Sequence, residues 1–220
     1  MKRLLKILLV LFTCFACVSC NKNKLLLLGD YFILSDIFKD KTKEDGFIQN
    51  KMSYKKLYFL LDEDGKSIQN NISINKSLNQ ASEIVISLGI YDLIQLFDFS
   101  DKDIKYDTNQ INDKLEVVDY YLYNSFYLIK EKTRAKVYVL EQINPLIGRF
   151  NNINEYLSYL YLLNTTINDY CDEFGFKFVG LSDVSNYLFD DFSINEKGIK
   201  YIEGKINEIS TNSIENKTSN

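Results

Sequence analysis

Glycines, aspartates and tyrosines follow three of the apolar runs in this 220-residue sequence, and side chains of these types could do chemistry. They are Gly29, Asp30 and Tyr31 after the first run, Gly89, Tyr91 and Asp92 after the third, and Asp190 and Asp191 after the fifth. Paired carboxylates can act as acid and base on a glycoside, and carboxylates beside aromatic rings can bind a sugar or a cation. The same aspartates can instead cap helices and bind loop amides, which is the interpretation that we favour.

The absence of histidine limits this chemistry. The sequence contains no histidine, which excludes histidine metal ligands, a histidine general base and every serine–histidine or cysteine–histidine pair. Its four cysteines, at positions 14, 17, 20 and 171, are too few and too unevenly spaced for a disulfide framework or an all-cysteine zinc site. No loop has the regular aspartate spacing of a calcium site. We therefore predict neither a metal nor another cofactor.

Five short runs have the character of buried parallel strands, because they are apolar and bounded by turn or helix signals. These runs are Lys24–Leu28, Lys56–Leu61, Glu83–Leu88, Lys136–Leu140 and Phe176–Val179. Longer segments place apolar residues at three- and four-residue steps, which indicates helices. The predicted helices are Ile111–Lys130, Ile153–Phe174 and Glu196–Ile209, and we expect a solvated turn and a helix start at Asp98–Asp103.

Alternation of strands and helices predicts a single α/β domain, a three-layer α/β/α sandwich around a five-stranded parallel sheet. This domain should span residues 25–209, and the polar tail at residues 210–220 should be disordered. In such a sheet, ligands bind beyond the carboxyl ends of the strands. The aspartates and tyrosines described above fall at those ends, so we expect them to form one cleft.

Three segments at the strand ends resemble sequence blocks of the SGNH (GDSL-type) hydrolases. LLLLGDYF is similar to their first block, a strand followed by Gly-Asp-Ser. EIVISLGIYDL is similar to the third block, which contains Gly-x-Asn-Asp, and LFDDFSINEKGIKYI is similar to the last, which contains Asp-x-x-His. The resemblance covers Leu25 to Ile209 and implies the fold of that family, with its flavodoxin-like sheet topology.

The resemblance also implies that most of the family's catalytic residues are missing. The nucleophilic serine falls on Tyr31, the oxyanion-hole asparagine on Tyr91 and the general-base histidine on Ser193, whereas the triad aspartate is retained as Asp190. The glycine of the second block is matched, poorly, by Gly65. A serine nucleophile needs a base that takes its proton. We therefore predict a non-catalytic binding or scaffold protein.

Two other functions stay open on the sequence alone. One is an active esterase, acylhydrolase or carbohydrate-acting hydrolase with an atypical site. In that case Ser35, followed by Asp36, could be a displaced nucleophile, with a lysine or a carboxylate as base. The other is recognition of a protein or a glycan by exposed aromatic side chains among the 16 tyrosines and 15 phenylalanines, most of which have the spacing of core residues.

The N-terminus has the plan of a bacterial lipoprotein signal. A basic start at residues 2–6 precedes an apolar stretch that ends at Val18. Cys17-Val18-Ser19-Cys20 resembles a relaxed lipobox, which implies a signal peptide at residues 1–19, an acylated Cys20 and a short tether at residues 20–24. We expect an exported protein, lipid-anchored to a bacterial cell membrane. A plain secretory signal, an uncleaved anchor and acylation of Cys17 are the alternatives.

Charge and the remaining cysteine complete these expectations. Removal of residues 1–19 takes away three positive charges and lowers the formal net charge from −4 to −7, so we predict no nucleic-acid partner. Cys171 lies at the end of a helical stripe without an adjacent basic residue. We expect a small buried side chain there and not a reactive thiol.

Overall fold

The computed structural model describes residues 24–30, 47–49, 52–62, 74–100, 103–144, 150–151, 153–181 and 195–218. The strands in this part of the chain are β1 (Leu25–Asp30), β2 (Phe47–Gln49), β3 (Glu83–Ser87), β4 (Asp98–Ser100), β5 (Asp103–Lys105), β6 (Lys136–Leu140) and β7 (Lys177–Val179). The helices are α1 (Tyr54–Asp62), α2 (Ile74–Gln80), α3 (Ile90–Ile94), α4 (Thr108–Lys132), α5 (Asn154–Phe174) and α6 (Glu196–Thr218). None of these described helices combines the length and the apolar character that crossing a bilayer requires.

Five strands form one parallel sheet in the order β2-β1-β3-β6-β7. The register pairs Leu25 of β1 with Glu83 of β3, and Glu83 with Lys136 of β6, so these strands start side by side. This strand order is that of flavodoxin-like, doubly wound folds. The predicted α/β fold with a parallel sheet is confirmed.

An apolar core on each face of the sheet joins the three layers. Successive side chains of a strand point to opposite faces, so the four leucines of β1 serve both cores. Leu26, Leu28, Ile84 and Ile86 pack with the buried residues of α1, α2, α4 and α5. Leu25, Leu27, Val85 and Tyr138 pack on the other face with Ile202 and Ile206 of α6. Burial on both faces explains why these strands are apolar throughout.

The prediction of a strand at Lys56–Leu61 is wrong, because these residues lie in α1. Ser53 begins this helix: its carbonyl accepts from Leu57 N and its hydroxyl accepts from Lys56 N, at 3.0 Å and 3.3 Å. A short apolar run fits a strand or a buried helix equally well, and here its buried residues have helical spacing. The fifth strand of the sheet is β2 instead.

Two further segments differ from the predictions. The segment Asp98–Asp103, expected to be a turn and a helix start, contains β4 and the first residue of β5, which pair antiparallel. The following helix begins at Thr108, where the Asp107 side chain caps the amides of Asn109 and Gln110. The tail predicted to be disordered from residue 210 is helical as far as Thr218. Once earlier turns of α6 are packed on the sheet, each further residue adds one hydrogen bond without a new nucleation cost.

Candidate functional site

The described site residues lie where the parallel strands end. We call this side of the sheet the strand-end edge; in the described residues it comprises residues 29–30, 88–92, 141–142 and 180–181. The register places Gly29 of β1 opposite Ser87, the last residue of β3. The structure therefore brings the predicted first and third loops side by side. Gly29 and Asp30, predicted to follow the first strand, are its last two residues.

Several predicted residues lie outside the described residues, so their roles stay predictions. They are Tyr31, Asp190, Asp191 and Ser193, the lipidation candidate Cys20, and Ser35, Asp36 and Gly65.

Gly89 makes the turn from β3 into α3, as the sequence predicts. Its φ of 122° is a conformation that residues with a side chain rarely adopt. A Cβ atom at this position would lie 3.1 Å from Leu163 Cδ2 and 3.3 Å from Tyr54 Cε2. Both the backbone conformation and the close packing thus require glycine here.

A buried glutamine, which was not among the predicted site residues, holds this turn in place. Gln142 follows β6, and its Oε1 accepts from Ile90 N at 3.2 Å, while its Nε2 donates to Leu140 O at 2.8 Å. Asn164 of α5 fixes the backbone of Gln142 by accepting from its N and donating to its O, each at 2.8 Å. One glutamine after a strand forms no sequence pattern from which this role could be predicted.

Asp92 is buried and binds the start of another element. Its side chain is 7% exposed, and its Oδ2 accepts from Tyr54 N, the first residue of α1, at 3.1 Å. Burial raises the pKa of Asp92 to about 7, although the backbone hydrogen bonds and the charge of Lys56 oppose this shift. Asp92 therefore caps α1, as the interpretation that we favoured predicts. Tyr91 beside it is half-buried.

A second carboxylate, also missed from the sequence, ties β6 to β7. Glu141 N donates to Val179 O at 3.0 Å, and the Glu141 carboxylate accepts from Leu181 N. Leu181 is the last described residue before the segment that contains Asp190 and Asp191. Glu141 thus orders the exit from β7 toward the last predicted block.

An open cleft of about 320 Å³ lies beside Asp92, between α1, α3 and α4. Its lining residues are Ser53, Lys55, Asp92, Gln95, Leu96, Lys114, Val117, Val118 and Tyr121. Lys55 Nζ lies 5.8 Å from the centroid of the Tyr121 ring. The lining therefore offers two ammonium groups, short polar groups and an aromatic ring. Among the described residues, no three carboxylate or thiol groups come together where they could hold a metal ion.

Comparisons with known proteins bear on the fold. No family model matches the sequence, and no curated protein matches it significantly. Among solved structures, the lipase Lip_vut3 from a goat rumen metagenome matches with a TM-score of 0.63 and 14% identity, covering 84% of this chain and 96% of its own. Phospholipase A1 from Streptomyces albidoflavus matches with a TM-score of 0.51 and 10% identity over 85% and 99% of the two chains. A GDSL-like lipase from Parabacteroides merdae matches with a TM-score of 0.50 and 10% identity over 84% and 93%.

The fold is that of the SGNH esterases and lipases. Each of the three similar structures aligns with this chain over nearly its whole length, so the similarity concerns the complete domain and not one motif. At identities of 10–14% it concerns the fold alone. The SGNH fold explains why the first and third resembling segments lie at neighbouring strand ends of one sheet.

Proposed function

We propose that this chain is a lipid-anchored, non-catalytic binding protein that keeps the SGNH hydrolase fold. The observation that carries this proposal is that a chain with this fold contains no histidine. In the hydrolase family, a histidine accepts the proton of the nucleophilic serine and returns it to the leaving group. Without an imidazole, that proton transfer lacks the carrier that the family uses.

The other replacements act in the same direction. By resemblance, Tyr31 puts a phenol ring where a serine hydroxymethyl would meet the substrate carbonyl, and Ser193 puts a hydroxyl where imidazole would be. Tyr91 cannot supply the amide N–H donor of an oxyanion hole, and the loss of one such donor costs about 10²–10³ in kcat. A change to one triad residue alone can cost on the order of 10⁴ in kcat.

Asp92 is the described carboxyl whose pKa approaches neutrality, and a base of that pKa would suit an atypical hydrolase. Its contacts argue against this role. Its Oδ2 accepts from Tyr54 N, and only 7% of the residue is exposed. Ser53, the described serine in the same cleft, has its hydroxyl bonded to Lys56 N. These groups hold the start of α1 and do not form a nucleophile–base pair.

The cleft beside Asp92 is the site that we assign to a ligand. Its volume of about 320 Å³ is in the range of small-ligand pockets. Ser53 and Gln95 suit sugar hydroxyls, the Tyr121 ring suits a sugar face, and Lys55 and Lys114 suit an acidic group. We therefore propose an acidic glycan as ligand.

Titration calorimetry tests this assignment. An oligosaccharide of glucuronic acid should bind the wild-type protein, and Lys114→Ala should bind it more weakly. Equal affinity of wild type and Lys114→Ala would exclude the cleft as the binding site.

The anchor is proposed from the N-terminal sequence. A basic start, an apolar stretch and Cys20 after a small residue are what signal peptidase and acylating enzymes of lipoproteins require. Radiolabelled palmitate should enter the wild-type chain in bacteria and should not enter Cys20→Ser. Equal labelling of both chains would show that the anchor is not at Cys20.

Restoring the missing residues tests the non-catalytic role. Hydrolysis of p-nitrophenyl acetate and butyrate should be undetectable for the mature chain. The variant Tyr31→Ser/Tyr91→Asn/Ser193→His should gain measurable turnover, because Asp190 would then complete a triad. Turnover by the unmodified chain at a rate similar to this variant would overturn the proposal.

A further inference from the structure

The parallel strands begin at the end of the sheet that lies opposite the candidate site. Ser82 N donates to Lys24 O at 2.9 Å, and Lys136 N donates to Ser82 O at 3.0 Å, so the starts of β1, β3 and β6 are adjacent. We call this side the strand-start edge; in the described residues it comprises Lys24, residues 79–82 and residues 130–136. It is the part of the described structure that follows the tether.

A polar recess of about 670 Å³ opens on the strand-start edge, between the α2–β3 and α4–β6 connections. Three basic residues, Lys132, Arg134 and Lys136, line it, together with one acidic residue, Glu131. Arg134 and Lys136 are exposed. This excess of positive charge stands out in a chain with a formal net charge of −4.

The connections that carry these charges are fixed to the rest of the domain. Lys132 Nζ donates to Leu61 O, at the end of α1, at 2.5 Å. Thr133 Oγ1 donates to Leu78 O of α2 at 2.8 Å. The backbone that carries Arg134 and Lys136 is therefore held in place, so no loop has to be ordered when they bind.

If Cys20 carries the proposed anchor, the short tether holds this edge near the membrane. Lys24 is the fourth residue after Cys20, and four extended residues span at most about 14 Å. The Debye length at physiological salt is about 8 Å, so an anionic surface attracts these charges when the tether is less than fully extended. Lys22 in the tether adds a further positive charge.

From this placement we infer that the strand-start edge is a membrane-contact surface for anionic lipid headgroups. Arg134 and Lys136 make the contact, and the recess that they line takes the headgroups. The strand-end edge, roughly 17–20 Å farther along β1, then faces away from the bilayer and leaves the cleft open to its ligand. This inference rests on the proposed lipid anchor at Cys20.

Lysine footprinting of the lipidated mature chain tests the contact. The chain is purified from membranes, the acyl mass on Cys20 is verified by mass spectrometry, and the protein is reconstituted in two kinds of vesicle. One contains phosphatidylcholine alone and the other contains phosphatidylglycerol as well. Acetylation of Lys130 and Lys136 should be about threefold slower in the anionic vesicles, and high salt should restore it. Lys105 and Lys197, exposed elsewhere, should react equally in both.

Charge reversal supplies the matched control. In Arg134→Glu/Lys136→Glu the protection of Lys130 should be lost, whereas in Lys105→Glu/Lys197→Glu, with the same change of net charge, it should persist. Equal acetylation of Lys136 in both kinds of vesicle would overturn the contact while leaving the anchor in place. Absence of an acyl mass on Cys20 would remove the anchor itself, and the inference with it.

Discussion

The carboxylate of Asp92 and the backbone N–H of Tyr54 lie 3.1 Å apart and form a buried hydrogen bond between the loop after β3 and the start of α1. The two residues are 38 positions apart in the sequence. This bond gives Asp92 a structural role that needs no catalysis.

Stability should depend on pH through Asp92. The carboxyl ionises near its ordinary pKa of 3.8 in the unfolded chain and near a pKa of about 7 in the folded chain. Between these values the folded state keeps a proton that the unfolded state has released, so raising the pH favours unfolding. We expect Asp92 to lower the free energy of unfolding by on the order of 3 kcal/mol from pH 4 to pH 7. Urea unfolding of wild type and Asp92→Asn across this range isolates the contribution.

In Asp92→Asn, the amide oxygen can still accept from Tyr54 N, and no charge has to be buried. The variant should match wild type near pH 4 and exceed it near pH 8. Asp92→Ala, which leaves Tyr54 N without its partner, should lose about 1–3 kcal/mol at both pH values. A constant difference between wild type and Asp92→Asn across the range would show that Asp92 does not titrate as described.

Gly89 should not tolerate a side chain. Gly89→Ala places a Cβ atom 3.1 Å from Leu163 Cδ2 at a φ of 122°, and we expect a loss of about 1–3 kcal/mol. Gly204, in α6, is the control, because a Cβ atom there has nothing within 4 Å. Gly204→Ala should stabilise by roughly 0.5–1 kcal/mol through helix propensity. Thermal unfolding measures the stability of both variants. Equal changes in stability for Gly89→Ala and Gly204→Ala would refute the packing argument.

Gln142 should matter for stability more than an exposed glutamine does. Gln142→Leu leaves the buried N–H of Ile90 without its side-chain acceptor and removes the bond to Leu140 O, which should cost about 1–3 kcal/mol. Gln95→Leu removes an exposed bond to Tyr91 O and should change stability by less than about 0.5 kcal/mol. Denaturant unfolding measures both. Similar losses in the two variants would mean that Gln142 does not anchor the turn.

Cys171 should be unreactive in the folded chain. The thiol is free and fully buried, which confirms the predicted burial, and burial together with Asp172 raises its pKa to about 12. Because the thiolate is the reactive form, a thiol reagent such as 5,5′-dithiobis(2-nitrobenzoate) should modify it only after unfolding. The absorbance of the thiolate that the reagent releases, measured at increasing urea concentrations, follows the reaction. Rapid modification without urea would show that the site opens in the native state.

The sequence predicts most of the fold because periodicity carries the information. Helices α4 and α5 have long apolar stripes, and their bounds agree with the prediction within a few residues. By contrast, Lys56–Leu61 is a short apolar run without distinguishing flanks, and Tyr54, Leu57 and Leu61 become a buried helix face only when the sheet is present. The three-residue β2 is too short to leave a pattern.

The positions of the site residues at the strand ends can be predicted from the sequence, because they follow from the backbone topology. The hydrogen bonds of single side chains in the site cannot. Gly89 and Asp92 stand directly after a recognisable strand, so their place on the edge follows from parallel topology. Gln142 and Glu141 also follow a strand, but their partners, Ile90 N and Leu181 N, come from distant segments. Such partners are defined by tertiary structure and have no signature at fixed spacing.

The most direct test of the central claim is the initial rate of p-nitrophenyl butyrate hydrolysis as a function of mature-chain concentration, for wild type and Asp190→Ala. If the fold has lost its chemistry, neither chain should raise the rate above that of buffer at any concentration. A rate that grows in proportion to wild-type concentration and disappears in Asp190→Ala would contradict the account, because it would mean that this site moves the proton without histidine.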